Sequence, residues 1–322
     1  MAAATSKTQK QSKSPSKKQA AGSRKLKQSG YASFKLSKRM KHPGGPVKGS
    51  FALLKAALRH VVAHKKVFAG ITVVNLLLVV FLVRGFVFTE DLNIAKQAVE
   101  ELVSGSSGKF TASFTILGMI VSSGSASTDV ALLYQTIIVI LVSLAVIWAL
   151  RQTHAGEVAS VKSAFYKSTY PLVPFLFVLF VVGLQLIPFL AANFLYGATI
   201  ASGLATTAIE QLLWLILVFL LIVWSLYMIT ASIFAMYIVT LPDMTPIKAL
   251  KSARGLVQYR RWEVMRKLLF LPIITVIIGV ILLVPIVMFL TPVAEPVFLV
   301  FSSSLIVLAH AYVYGLYKEL LA

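Results

Sequence analysis

Apolar runs of roughly twenty residues alternate along this chain with shorter segments in which Lys and Arg recur at helical spacing. The clearest instance is residues 244–287, MTPIKALKSARGLVQYRRWEVMRKLLFLPIITVIIGVILLVPIV, whose first part carries seven Lys and Arg against one Glu and whose second part carries no charge. Thr245 and Pro246 occupy the N-cap and first helical positions, and Ile247, Leu250, Ala253 and Val257 then repeat beside Lys248, Lys251 and Arg254. The pattern predicts an amphipathic helix lying on a membrane surface, continued in charge by Arg260 and Arg261, before the chain turns inward at Trp262. The same order occurs three times. Val47, Phe51, Leu54, Leu58 and Val61 share a helical face, with Lys48, Lys55 and Arg59 on another. Between residues 151 and 169, Ser160, Ala164 and Phe165 coincide with Thr245, Ala249 and Leu250 after a shift of 85 positions.

Six runs are long enough to cross a hydrocarbon core of about 30 Å: residues 67–88, 130–150, 170–195, 212–241, 268–290 and 296–317. Pro171, Pro174 and Pro188 predict kinks in the third, and the fourth is long enough to require a tilt or bend. Residues 92–103 read as a surface helix, and residues 110–121 are apolar but too short to cross. The expected fold is therefore all-α, a polytopic membrane bundle of six transmembrane helices with basic interfacial helices. Its internal plan is a three-fold repeat of interfacial helix plus two spans, covering residues 47–322. Composition agrees, since 58% hydrophobic and only 13% charged residues at a mean hydropathy of +0.84 lie outside the range of soluble domains.

The net charge of +20 is unevenly spread, with 17 of 31 Lys and Arg at or before Lys66. Residues 1–46 are poor in apolar surface and predict a disordered basic tail. Near its end Lys35, Lys38, Arg39 and Lys41 interleave with Tyr31, Phe34, Leu36 and Met40, a pattern suited to an anionic lipid surface. Nucleic acid offers a similar polyanion, but the positive-inside rule accounts for a basic flank beside a span without it. The first apolar run begins too deep for a cleavable signal peptide, which predicts an uncleaved anchor. Six crossings with both termini on one side place 28 of the 31 cations there, leaving three opposite beside seven of the eleven acids. That asymmetry predicts cytoplasmic termini.

Candidate chemistry inside the spans is sparse. No span centre holds Asp, Glu or Lys, and the polar groups that do occur there include Asn75, Gln185, Asn193, Ser225, Thr230 and His310. Such groups more often join helices than bind ligands, and a lone intramembrane His310 without a carboxylate is expected to be a hydrogen-bonded structural residue. His60 and His64 stand at metal-ligand spacing with no third ligand nearby in sequence. The chain has no cysteine, so disulfides, thiolate metal sites and thiol catalysis are excluded. HExxH, GxSxG and EF-hand patterns are absent, and GSSGK at residues 105–109 lacks the spacing and the hydroxyl residue of a phosphate loop. These features predict no catalytic residue, no metal and no cofactor.

Residues 156–188 and 242–285, with Thr245, Ala249, Leu250 and Ser252 and their counterparts Ser160, Ala164 and Phe165, resemble the repeated pattern of a six-span bacterial family. That family is related to the membrane domain of glycerophosphoryl diester phosphodiesterases, and the run FKLSKRMKHP at residues 34–43 is similar to tails on its stand-alone members. The resemblance implies the six-span architecture and a bacterial cytoplasmic membrane. It implies no active site, because the phosphodiesterase chemistry belongs to a separate soluble domain. Three functions remain on this reading. The first is a non-enzymatic protein that handles lipid or supports envelope proteins, with anionic membrane lipids and other membrane proteins as partners; the others are a small-solute transporter or channel, and an embedded enzyme using His310.

Overall fold

The computed structural model describes residues 48–84, 129–201, 207–289 and 291–321. The expected tail, with Lys35, Lys38, Arg39 and Lys41, and the connection at residues 89–128 lie outside that set. Every regular element among the described residues is helical. In chain order they are α1 (Ser50–Ala63), α2 (Lys65–Leu78), which continues as a π-helical stretch over Val79–Arg84, α3 (Asp129–His154), α4 (Val161–Ser168), α5 (Leu172–Gln185) and α6 (Ile187–Ala201). Then follow α7 (Ala208–Ser232), α8 (Ala235–Ile238), α9 (Pro246–Val257), α10 (Arg261–Phe289) and α11 (Thr291–Leu321). Six stretches have the length and hydropathy of a membrane span: Lys65–Val83, Val130–His154, Leu172–Thr199, Ile209–Ile238, Arg261–Leu283 and Pro296–Leu321. The protein is an all-α, six-span bundle, and the spans fall close to where the apolar runs predict them.

Breaks occur where the sequence forces them. Span three is divided at Leu186 into α5 and α6, with Pro188 at the second position of α6, where its missing N–H and its ring cannot continue the preceding helix. The Ser225 hydroxyl of α7 donates to the Gln185 carbonyl at this break, 2.8 Å away, so a polar group of span four satisfies backbone freed in span three. Span four bends after Ser232, where α7 gives way to the single turn of α8. Thr207 and Glu210 form a reciprocal capping box at the start of α7, which puts that carboxylate to a structural use.

The three-fold plan is legible in burial as well as in sequence. Gly49, Ser160 and Thr245 precede α1, α4 and α9, and the Ser160 and Thr245 hydroxyls accept hydrogen bonds from the main-chain N–H three residues on. Four residues after each cap come Leu53, Ala164 and Ala249, and eight after come Ala57, Ser168 and Ala253; all six are buried. Each short helix thus docks one face on the end of the bundle. This modifies the expectation of apolar faces resting on lipid: in α9, Ala249, Ala253 and Val257 face protein, while Ile247 stays exposed among the cations. In α1, likewise, Leu53, Leu54 and Ala57 are buried while Phe51, Leu58 and Val62 project outward.

Span two is buried along nearly all of residues 142–150 and packed against α2, α4 and α11. By contrast, α7 exposes Leu212, Leu213, Ile216, Phe219 and Leu220, a surface that only lipid or another apolar partner can solvate. The first unit closes on the last. Lys48 pairs with Glu319 at 2.6 Å, and the buried Lys267 donates to the Lys48 carbonyl at 2.5 Å while standing 3.7 Å from Glu263. The start of α1 and the end of α11 therefore share one end of the bundle, as an even number of crossings requires.

Close approach of α2 and α4 depends on Gly70, where a methyl would overlap a Val161 methyl. Overpacking of this kind costs about 1–3 kcal/mol, against roughly 1 kcal/mol gained from helix propensity. Gly70→Ala is expected to lower the thermal midpoint of the purified protein, and adding Val161→Ala to raise it again. A midpoint unchanged or raised by Gly70→Ala alone would contradict this packing.

Candidate functional site: the cationic end of the bundle

The polar groups gather at one end, where spans two, four and six finish and spans one, three and five begin. The docked faces of α1 and α9 leave Lys55, Arg59, Lys248, Lys251 and Arg254 exposed on their outer sides. Lys48 is also exposed but is tied to Glu319. Of the remaining expected contacts, Arg260 is half-buried, and Arg261 lies over the Tyr227 ring at 4.8 Å from its centre, a cation–π contact joining α10 to span four. Exposed Phe51, Leu58, Val62, Ile247, Tyr259 and Trp262 stand among these cations.

Beside this outer face is a cavity of about 520 Å³ between α3, the α4–α5 turn and residues 239–245. Arg151, Lys167 and Asp243 are the charged residues in its lining. Arg151 is buried and held by Thr240, one guanidinium nitrogen donating to the main-chain carbonyl at 2.7 Å and the other to the hydroxyl. Lys167 stands 5.9 Å above the centre of the Trp148 ring. Asp243 has φ of +61°, a left-handed conformation that costs a non-glycine residue about 1–2 kcal/mol and turns the chain from span four into α9.

A second cluster joins three histidines that sequence separates. His60 stacks on His154 at 3.7 Å between ring centres, with His64 at 4.6 Å from His60 and Tyr314 at 5.1 Å from His154. The His64 and His154 Nδ1 atoms donate to the carbonyls of His60 and Leu150, which fixes the protonated nitrogen of each neutral ring. Thr153 gives its one hydroxyl hydrogen to a backbone carbonyl of its own helix, so at 2.9 Å His60 Nε2 donates to the Thr153 oxygen. His154 is the third histidine that the spacing of His60 and His64 lacked. The stacked rings do not converge on a point, and no cluster among the described residues is arranged to hold a metal ion.

Deeper in the bundle the His310 Nδ1 and the Tyr237 hydroxyl lie 2.9 Å apart in a hydrogen bond. Among the described residues, the buried carboxamide oxygens of Asn75 and Gln185 have no hydrogen-bond partner. They belong to separate helix pairs, since span one packs on spans two and six while span three packs on span four. The Asn193 side chain lies outside the described set. Sequence reasoning missed Arg151, Lys167, Trp148 and Thr240 as a group; the signals available were an arginine and a tryptophan at the end of one span and a Pro-Asp turn at the end of another.

Fold and site together define a multi-pass α-helical membrane protein with its cations concentrated at one end. No family model, curated protein or solved structure matches the chain.

Burial, then the neighbouring His154, His64 and Lys318 charges, lower the His60 pKa from 6.5 to about 4. Below pH 6.5 the unfolded chain takes up a proton that the folded protein resists, so stability present above pH 6.5 declines as the pH falls toward about 4. Thermal midpoints measured across that window are expected to fall, and His60→Gln, which preserves a donor toward Thr153, to flatten the decline. An equal slope in the variant would contradict the assignment.

Proposed function

We propose that this is a non-enzymatic protein of a bacterial cytoplasmic membrane that handles anionic lipid at its cationic end, with both termini cytoplasmic. The observation that carries the reading is the mixed outer face of the docked helices. On α1, Phe51, Leu58 and Val62 alternate with Lys55 and Arg59; on α9, Ile247 stands beside Lys248, Lys251 and Arg254. Large apolar side chains in the head-group layer and cations facing phosphates are the two components of interfacial binding. A basic residue near an anionic leaflet contributes about 1 kcal/mol, so such a face enriches acidic lipid around the bundle. The relation to the membrane domain of glycerophosphoryl diester phosphodiesterases, carried by Thr245, Ala249, Leu250 and Ser252, is part of the same proposal. A non-catalytic role is favoured by His310, whose hydrogen-bonded neighbour is a tyrosine hydroxyl in place of a carboxylate.

The test is lipid retention after extraction from membranes containing equal amounts of phosphatidylglycerol and phosphatidylcholine. The protein is expected to retain more phosphatidylglycerol, and the triple change Lys248→Glu, Lys251→Glu and Arg254→Glu to reduce that enrichment, each lost cation removing about 1 kcal/mol of attraction. Equal retention of the two lipids, or no effect of the triple change, would remove the proposal.

A further inference from the structure

We propose that the cavity between α3, the α4–α5 turn and residues 239–245 seats the phosphoryl headgroup of one anionic phospholipid, held by Arg151 and Lys167. The inference rests on the reading of the protein as lipid-handling, but it concerns a different surface from the outer faces of α1 and α9.

Size and polarity fit a headgroup with the start of its chains. A cavity of about 520 Å³ lies within the usual range for small-ligand sites. Its lining follows the order of a phospholipid. Arg151, Trp148 and Leu144 all line it from α3 at helical spacing, so the wall changes from charged to apolar over roughly 10 Å from the helix end inward. Pro174 extends that apolar wall from α5. A soluble anion would have no use for the inner part.

The charges select the headgroup. Two cations face one acid, which favours a net-negative ligand. Arg151 is the anchor: its two contacts to Thr240 fix the plane of a guanidinium, the group best matched to phosphate oxygens. Lys167 is exposed at the rim over Trp148, where it can close on a phosphate. It also covers the aromatic face that a choline would require, which argues against a phosphatidylcholine occupant. The left-handed Asp243, between Pro242 and Met244 in the lining, is the kind of backbone irregularity that persists where surrounding structure holds a site in shape.

Native mass spectrometry of the full chain in detergent, with phosphatidylglycerol, phosphatidylcholine or inorganic phosphate added, tests the assignment. One retained phosphatidylglycerol is expected at concentrations where phosphatidylcholine is not retained. Lys167→Gln, an exposed position that leaves the fold intact, is expected to weaken retention about ten-fold, the effect of losing one charge-assisted contact, and Lys167→Arg to restore it. Phosphatidylcholine retained equally, or Lys167→Gln without effect, would overturn the proposal. Displacement of the lipid by equimolar inorganic phosphate would overturn it in favour of a soluble-anion site. The triple change on α9 separates the two readings: it is expected to leave the single adduct in place. An absent adduct with bulk enrichment intact sinks only the cavity, and an intact adduct without bulk enrichment sinks only the surface reading.

Discussion

A lysine or arginine at the centre of a bilayer costs about 2.5–3.5 kcal/mol on insertion scales, and much of this structure follows from avoiding that cost. The cations of the described residues collect at and beyond the ends of the spans. Those drawn below the surface, Arg151 and Lys267, are held by main-chain carbonyls. Once the charged segments are confined to span ends, the apolar runs between them have to cross. The short basic helices then lie across the bundle end, because their cations face outward while their small residues face protein.

That docking is what the three units have in common. A cap, a buried residue four positions on and another eight positions on recur in α1, α4 and α9. The identities drift, with Leu53 and Ala57 where the later units have Ala164 and Ser168 or Ala249 and Ala253, but each keeps a narrow face against the spans. The end of the bundle is thereby stitched by contacts between distant segments: Lys48 with Glu319, Arg151 with Thr240, His60 with Thr153. The cavity lies in the same layer, walled by α3, the α4–α5 turn that follows it and the distant residues 239–245.

The spans were legible because an unbroken apolar run of the right length has few alternatives, and the break near Pro188 because proline has no N–H to donate. The Thr245 cap was legible for a similar local reason, and Ser160, which coincides with it after the shift of 85 positions, caps α4 in the same way. Amphipathicity was ambiguous in a specific way: periodicity marks an apolar face but does not say whether lipid or protein covers it, so Leu54 and Leu58 read alike although one is buried and the other exposed. Alanines at 249 and 253 carried the information, since small residues permit close helix packing. The His60–His154 stack and the Arg151–Thr240 contact join residues about ninety positions apart, and no local pattern encodes such pairings.

The account depends most directly on which side of the membrane the charged end occupies. The chain lacks cysteine, so single cysteines can be introduced into an otherwise unreactive background. Intact cells would be treated with a membrane-impermeant thiol reagent after Lys251→Cys or Tyr166→Cys at the cationic end, and after Lys109→Cys in the connection between the first two spans. The account predicts labelling of the position 109 variant alone, with the other two reacting only after the membrane is opened. Labelling of position 251 or 166 from outside intact cells would contradict it.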